Sequence, residues 1–360
     1  MNILHTETLK KWGGQQNRVL SEAIGLTKRG HKVIIACNEA SILALKAKQA
    51  NIKVYEMNMV KQAHLVNIPK LIRIIKEENI EVVSTHSSVD SWAGGIAAKL
   101  SGRRLVRFRH NLYPVGKDPL TKFIYAIPDK IIAISESVKD ALHARGIKKN
   151  IAVIHSSVDT GLFDLASGDI RRELNIPPDA IVIGNTSTFT RVKGQEYLLQ
   201  AFNIISEKHP CYLLFAGKLG EQSREKYLGH VEKDFRKNVI LLGHRDDVQK
   251  VLNTIDIFVY PSFLEGLGTA LLEAMAMERP VAVSDIPTFR NFITDGENGV
   301  FFKARDHVSL AEKIISLINN RDLMFRIGKK ARLTILDKFG LNRMIDDTED
   351  CYGRVLNSGT

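Results

Sequence analysis

Residues 260–285, YPSFLEGLGTALLEAMAMERPVAVSD, constrain the fold more than any other stretch of this 360-residue chain. An apolar run (Ile255, Ile257, Phe258, Val259) leads into a turn, Glu265-Gly266-Leu267-Gly268, then a helical pattern over 269–277 and a second apolar run over 280–284. Strand, glycine turn, helix and strand in that order predict one unit of a parallel sheet. The helix start leaves the N–H groups of Gly268, Thr269 and Ala270 without intrahelical partners, and the helix dipole adds to their pull on an anion, so the turn predicts a phosphate site. Glu265 and Glu273 are eight residues apart, which lets both border one crevice at the carboxyl ends of the strands. Carboxylates do not bind phosphate. They accept hydrogen bonds from hydroxyls, as a sugar or a ribose offers.

The full run of Glu-Gly-Leu-Gly, Leu-Glu-Ala-Met-Ala and Arg-Pro-Val is similar to the E-x7-E segment of retaining glycosyltransferases of the GT-B fold, in the large family four that includes lipopolysaccharide, capsule and mannosyl transferases. The resemblance implies an α/β fold of two Rossmann-like domains facing across a cleft, with a C-terminal helix returning to the N-terminal domain. It implies that Glu265 contacts the donor sugar and that Glu273 holds the nucleotide ribose. The turn from Gly266 and Leu267 through Gly268, Thr269 and Ala270 would hold the diphosphate.

A chain of this length predicts two domains, and the expected division is an acceptor-binding domain over 1–158, a nucleotide-sugar domain over 159–340 and the returning helix over 341–360. The boundary rests on 155–163, HSSVDTGLF, which resembles the family's inter-domain Pro-Asn-Gly-Val-Asp followed by phenylalanine, with Ser156-Ser157 in place of Asn-Gly. In the first half, a strand at Ile3 and Leu4 precedes Gly13-Gly14, and helices and strands alternate from there to 154. Glycines after a first strand are either a plain turn or a place where backbone approaches a ligand; the resemblance implies the second, beside the donor diphosphate. His86 and His110 follow the strands expected at 81–85 and 105–108, at the sheet edge that binds ligands in open α/β folds. The resemblance gives His110 a polar contact with the donor sugar or acceptor and makes His86, with Arg109, an acceptor-side candidate. Asp90 is read either as an acceptor-side base or as the N-cap of the next helix.

In the second half, Lys193-Gly194 opens a helical pattern over 194–207. A lysine at a helix start opposes the dipole unless an anion lies between them. The resemblance implies that Lys193 neutralises the donor diphosphate, helped by Arg191, because Thr188 stands where the family carries its arginine. Gly217 ends a strand over 211–216, and the loop over 243–248, with Arg245 and Val248, resembles the one that flanks the nucleotide base.

The formal net charge of +11 calls for nucleic acid, an anionic membrane or a polyanionic substrate as partner, or serves solubility. Lys99, Arg103, Arg104, Arg107 and Arg109, with Lys10, Lys11, Lys28 and Arg29, form either a basic face or a solvated surface. A basic face would suit an anionic lipid headgroup or a phosphorylated glycan. No aromatic-interleaved basic strand or helix-turn-helix pattern is present, so nucleic acid is not expected. No run approaches eighteen apolar residues and no signal peptide is visible, while Cys37, Cys211 and Cys351 lack paired spacing. The expected location is therefore cytoplasmic, with peripheral contact on the inner face of the membrane. No nicotinamide or Walker motif occurs, and no Asp-rich metal motif. The expected activity is metal-independent, retaining transfer of a sugar from a UDP- or GDP-sugar to a hydroxyl of a cell-surface glycan or glycolipid precursor, with no further cofactor. A nucleotide-sugar epimerase on the same architecture is the alternative enzyme, and a basic scaffold or nucleic-acid-binding protein the non-enzymatic one.

Overall fold

The computed structural model describes residues 1–147 and 149–358. The chain divides into two compact units, Met1–Ser157 with Leu341–Thr360, and Val158–Gly340. The first carries seven strands: β1 (Asn2–Glu7), β2 (Lys32–Asn38), β3 (Lys53–Met57), β4 (Val82–Thr85), β5 (Arg104–Arg109), β6 (Lys130–Ala133) and β7 (Ile151–Val153). The second carries six: β8 (Ile181–Asn185), β9 (Cys211–Phe215), β10 (Val239–Leu241), β11 (Ile257–Tyr260), β12 (Val281–Ser284) and β13 (Val300–Phe302). Both sheets are parallel, with orders β3-β2-β1-β4-β5-β6-β7 and β10-β9-β8-β11-β12-β13. Each order reverses once, beside β1 and β4 in one sheet and β8 and β11 in the other. Helices diverge to opposite faces there and leave a crevice at the carboxyl ends.

Parallel strands covered on both faces read as unbroken apolar runs. Val33, Ile34, Ile35, Ala36 and Cys37 of β2 are all buried. Their alternation sorts two cores. Ile3, Val33 and Ile35 pack with Val19, Ala23 and Leu26 of the helix Gly14–Lys28 and with Ile345 and Tyr352 of the helix Leu341–Asn357. Leu4, Ile34 and Ala36 pack on the other face with Leu71 and Ile75 of the helix His64–Glu77 and Ala93 and Ala97 of the helix Asp90–Leu100.

Several elements differ from the sequence reading. β1 extends through His5, Thr6 and Glu7 because these polar side chains are fully buried and bonded, which hides the strand in a hydropathy pattern. The helices Pro119–Ala126, Glu221–Leu228 and Val248–Thr254 were not anticipated. Helix ends also differ in kind. Ser41, Asp118, Ser135, Asp306 and Asn320 each accept a backbone N–H at a helix start, the ordinary way of satisfying those groups. Gly13, Gly194 and Gly268 lead the helices Gly14–Lys28, Gln195–Lys208 and Thr269–Ala276 with no side-chain cap. These three helices follow β1, β8 and β11, strands that flank the reversals.

Candidate active site

In the C-terminal unit, the loops after β8 and β11 meet because those strands are neighbours. Phe263 N–H donates to Val192 O at 3.0 Å and joins the loops through backbone. Lys193 comes from the first loop and Glu265 from the second. The Lys193 ammonium donates to Oε1 of Glu265 and, at 2.8 Å, to the Tyr260 hydroxyl. Ser262 Oγ lies 2.8 Å from the same Glu265 oxygen, and Thr288 Oγ1 donates to the Glu265 carbonyl at 2.7 Å. Burial opposes the ammonium, but Tyr260 and Glu265 outweigh it and hold Lys193 above the ordinary lysine range. The lysine is thus charged, and the two side chains are positioned against each other.

Tyr260 connects this pair to the amide turn. Gly268 has φ +91, and a Cβ there would stand 3.1 Å from Tyr260 Cε1 and 3.3 Å from Phe289 Cε1. Only glycine takes that conformation and lets the turn close on the tyrosine ring. The N–H groups of Thr269 and Ala270, in the first turn of Thr269–Ala276, therefore open beside the ring whose hydroxyl receives Lys193. Leu267 is buried, so its side chain belongs to the core. Glu273 lies one turn into the helix, where burial pushes its carboxyl up to about 7. It has no hydrogen-bond or ion-pair partner among the described residues. Gly217 follows β9, and a Cβ on it would run into the Ser187 carbonyl. The close approach fixes Ser187 and Thr188, which Asn185 and Gln195 hold from either side, the latter at 3.0 Å to Ser187 Oγ and 3.1 Å to Thr188 O.

One expectation in this unit changes. The helix begins at Gln195, and Lys193 ends the 3-10 turn Arg191–Lys193, so its ammonium is engaged by a carboxylate across the crevice and not placed at a helix start. Arg191 is exposed and makes no contact with the Lys193–Glu265 pair. Arg245 donates to Glu173 at 2.6 Å and to Asp247 at 2.8 Å, and Val248 begins the helix Val248–Thr254. Tyr260, Ser262 and Thr288 were missed. The first two lie inside the stretch that opens the sequence reading, at the end of β11, where a hydroxyl facing the crevice is a readable signal.

In the N-terminal unit the same edge is more enclosed. Glu7 ends β1, with Oε1 accepting the N–H groups of Thr8 and Leu9 at 2.7 and 2.9 Å and Oε2 accepting Gln15 Nε2 at 2.6 Å. Burial, with Asp90 nearby, pushes its carboxyl up to about 7. Asp90 is not an N-cap: it is the first residue of Asp90–Leu100, and it reaches back to the turn before it. Its oxygens accept Thr6 Oγ1 and His86 N–H at 2.7 Å each and Ser87 N–H at 2.6 Å. With only 1% of its surface exposed, it holds the β4 turn and has no room to serve as an acceptor base. His86 is buried, with Nδ1 3.1 Å from His110 Nε2 and Nε2 2.9 Å from His5 Nδ1. It is therefore screened from solvent. Burial first, then neighbouring charges, hold both imidazoles well below the ordinary histidine range. Arg109 folds back on the carbonyls of Asn111 and Tyr113. Gly13 is extended before the helix that Gly14 begins.

Part of the basic run is turned into the fold. Arg107 is buried, donates to Ile124 O at 3.0 Å and lies over the Tyr125 ring. Lys99 and Arg104 pair with Asp129, and Arg29 pairs with Asp346 and Glu349. Those cations are engaged within the fold. Among the described residues, no group of three or more His, Cys, Asp or Glu is placed to hold a metal ion, and no helix is long and apolar enough to cross a membrane.

Known proteins share this architecture. The family Glycosyltransferase Family 4 matches residues 12–162 and the family Glycosyl transferases group 1 matches residues 167–334. A capsular polysaccharide biosynthesis glycosyltransferase, CapM of Staphylococcus aureus, is 29% identical over 310 residues, 81% of each chain. A glycosyltransferase from Rickettsia africae superposes with a TM-score of 0.90 at 23% identity, over 99% of this chain and 98% of that one. Anabaena Alr3699/HepE, solved in complex with UDP, gives 0.86 at 18% identity over 98% and 100%.

Proposed function

The chain belongs to glycosyltransferase family 4, a family of GT-B enzymes, and from that premise we propose that it moves a sugar from a nucleotide-sugar donor to a hydroxyl acceptor with retention of configuration and without a metal ion. The observation that carries this reading is the Lys193–Glu265 pair, joined by Tyr260 to the uncapped turn at Gly268. The Glu265 carboxylate occupies the counter-charge position that a diphosphate takes when the donor binds. Lys193 and the amides of Gly268, Thr269 and Ala270 then meet the leaving diphosphate, with Arg191 free to swing in, and Glu265 turns to a donor-sugar hydroxyl. Fixed donors aimed at developing charge supply most of the rate enhancement in many such reactions. Glu273, which has no partner among the described residues, accepts the ribose hydroxyls. On the other unit, His110 offers a polar contact to the donor sugar or the acceptor.

The Anabaena relative was solved with UDP, which favours a UDP-sugar here, with a GDP-sugar as second choice. CapM takes part in capsular polysaccharide biosynthesis, which favours a cell-surface glycan or glycolipid precursor as acceptor. Isothermal calorimetry with UDP and GDP tests the donor reading: one of the two binds, and binding of neither removes it.

Peripheral attachment to the inner face of the cytoplasmic membrane is part of the same proposal. The N-terminal unit holds 27 Lys and Arg against 16 Asp and Glu, whereas the C-terminal unit holds 24 of each, so the whole net charge of +11 belongs to the first. The same unit exposes Leu65 by 85%, Leu120 by 66% and Phe123 by 51%. Leu65 and Leu120 lie in the first turns of His64–Glu77 and Pro119–Ala126 and Phe123 in the next turn of the latter, close in sequence to the exposed lysines Lys70, Lys117 and Lys122. Apolar side chains among cations suit an anionic bilayer. The protein should pellet with anionic but not neutral vesicles, and high salt should release it; equal pelleting with both removes the electrostatic part.

A further inference from the structure

The N-terminal unit contains a buried polar network that ends at His110. It starts at Arg18 and Glu22 on the helix Gly14–Lys28, where Arg18 Nε lies 3.5 Å from Glu22 Oε2. From Glu22 it branches. One branch runs through the Tyr352 hydroxyl, 2.7 Å from Glu22 Oε1, to Ser84 Oγ at 3.1 Å and on to His86 Nε2 at 3.3 Å. The other runs through His5, whose Nε2 is 3.7 Å from Glu22 Oε1 and whose Nδ1 is 2.9 Å from the same His86 Nε2. His86 Nδ1 then meets His110 Nε2 at 3.1 Å.

We propose that Glu22 fixes the direction of every hydrogen bond in this network, so that His110 carries its proton on Nε2 and presents a bare Nδ1 to a sugar hydroxyl. Glu22, Tyr352, Ser84, His5 and His86 are then positioning residues for His110. The proposal rests on the reading that His110 borders the reacting sugar.

Donor and acceptor accounting gives the direction. A carboxylate only accepts, so Tyr352 gives its single proton to Glu22. The tyrosine oxygen must then accept from Ser84, which uses the serine proton. Ser84 Oγ has only lone pairs left for His86 Nε2, and that nitrogen must carry hydrogen. The second branch gives the same answer independently. At 3.7 Å the contact between His5 Nε2 and Glu22 is too long for a hydrogen bond, yet the anion attracts an N–H there and repels a lone pair. His5 is therefore protonated on Nε2, its Nδ1 is a lone pair, and His86 Nε2 must again donate. Burial lowers all three imidazoles, first among the causes for each, which keeps them neutral. A neutral ring has one N–H, so His86 Nδ1 accepts from His110 Nε2. That leaves His110 Nδ1 bare, and it has no partner among the described residues.

Three imidazoles in a row are satisfied equally well in either direction, and in the reverse one His110 would present N–H. The anchored carboxylate removes this choice. Phe108 keeps the rings in line, stacked on His86 at 4.7 Å and on His110 at 5.7 Å between ring centroids.

The test is a long-range proton–nitrogen spectrum of the protein labelled with 15N-histidine, with His86 and His110 assigned from the signals lost in His86→Gln and His110→Gln. Protons on Nε2 and unprotonated Nδ1 nitrogens are expected for both residues; a protonated Nδ1 on His110 overturns the proposal. In Glu22→Gln, whose amide donates as readily as it accepts, the His110 tautomers should mix or invert. Transfer should slow by about 10²-fold, the low end of what acid–base assistance contributes, while UDP affinity stays unchanged. Wild-type tautomers retained in Glu22→Gln would also overturn it, and the wild-type spectrum decides the point even where that variant fails to fold. Failure of the wild type to bind UDP would remove the transfer reading and leave the tautomer result standing.

Discussion

The two sheets of this protein reverse strand order in the same way, yet they equip the reversal differently. At β1 and β4 the carboxylates of Glu7 and Asp90 are matched by N–H and O–H donors from β1, from the turns after β1 and β4 and from the helix Gly14–Lys28. At β8 and β11, Lys193 and Glu265 satisfy each other across two loops, and Glu273 has no partner among the described residues. At the first reversal Glu7 and Asp90 are matched as scaffold and a ring nitrogen of His110 is left open, whereas the second is a set of groups poised to exchange partners. A topology that leaves a crevice is therefore not enough to mark a site. What distinguishes the C-terminal crevice is that its polar groups are held in place without being used up.

The comparison breaks most visibly with a pair of substitutions. Glu265→Ala should reduce transfer by about 10²- to 10³-fold, the range for removing one group aimed at developing charge, with a small change in melting temperature. Asp90→Asn should do the opposite, because an amide cannot accept all three of the donors that now converge on the carboxylate. Its stability should fall by about 1–3 kcal/mol, the cost of leaving buried donors unmatched. If Asp90→Asn melted like wild type and lost transfer, Asp90 would act in the reaction and not as a holder of the β4 turn. A smaller effect is expected for Lys193→Ala: UDP binding should weaken by about 10-fold, since a charge-assisted contact contributes about 1.5–3 kcal/mol and the amides near Thr269 remain. Unchanged affinity by calorimetry would put the diphosphate elsewhere.

The sequence exposes the C-terminal crevice more readily than the N-terminal one for a physical reason. The Glu-Gly-Leu-Gly turn and the helix after it are local, and the unbroken apolar runs of β11 and β12 announce covered parallel strands. The pairing of Lys193 with Glu265 is not local. The two are 72 positions apart, and they meet because β8 lies beside β11, a fact of strand order that no pattern within either segment contains. The network at β1 and β4 is harder still. His5, Thr6 and Glu7 interrupt the apolar run that would reveal β1, and Tyr352 reaches Glu22 and Ser84 from a helix 330 and 268 positions away. Polar residues buried in a strand read as a loop until their partners are known. The cations from Lys99 to Arg109 misled for a related reason: a run of like charge suggests a face, whereas strand alternation turns Arg107 inward, over Tyr125.

The smallest expected effect sharpens the comparison by setting Glu273 against Glu7. Burial raises both carboxyls from the ordinary 4.5 up to about 7. In that window the folded protein keeps protons that the unfolded chain releases, so each group's contribution to stability is highest below about 4.5, declines as pH rises, and levels off above about 7. Glu273→Gln and Glu7→Gln should each flatten this decline in melting temperature. UDP should separate them. Ribose hydroxyls donate to the ionised form of Glu273, so the stabilisation by UDP should grow as pH rises from about 5.5 to about 8. Glu273→Gln should abolish that growth. Glu7→Gln should leave it intact, because Glu7 already receives Thr8, Leu9 and Gln15 and has no need of a ligand. Loss of the growth in Glu7→Gln and its persistence in Glu273→Gln would exchange the roles of the two crevices.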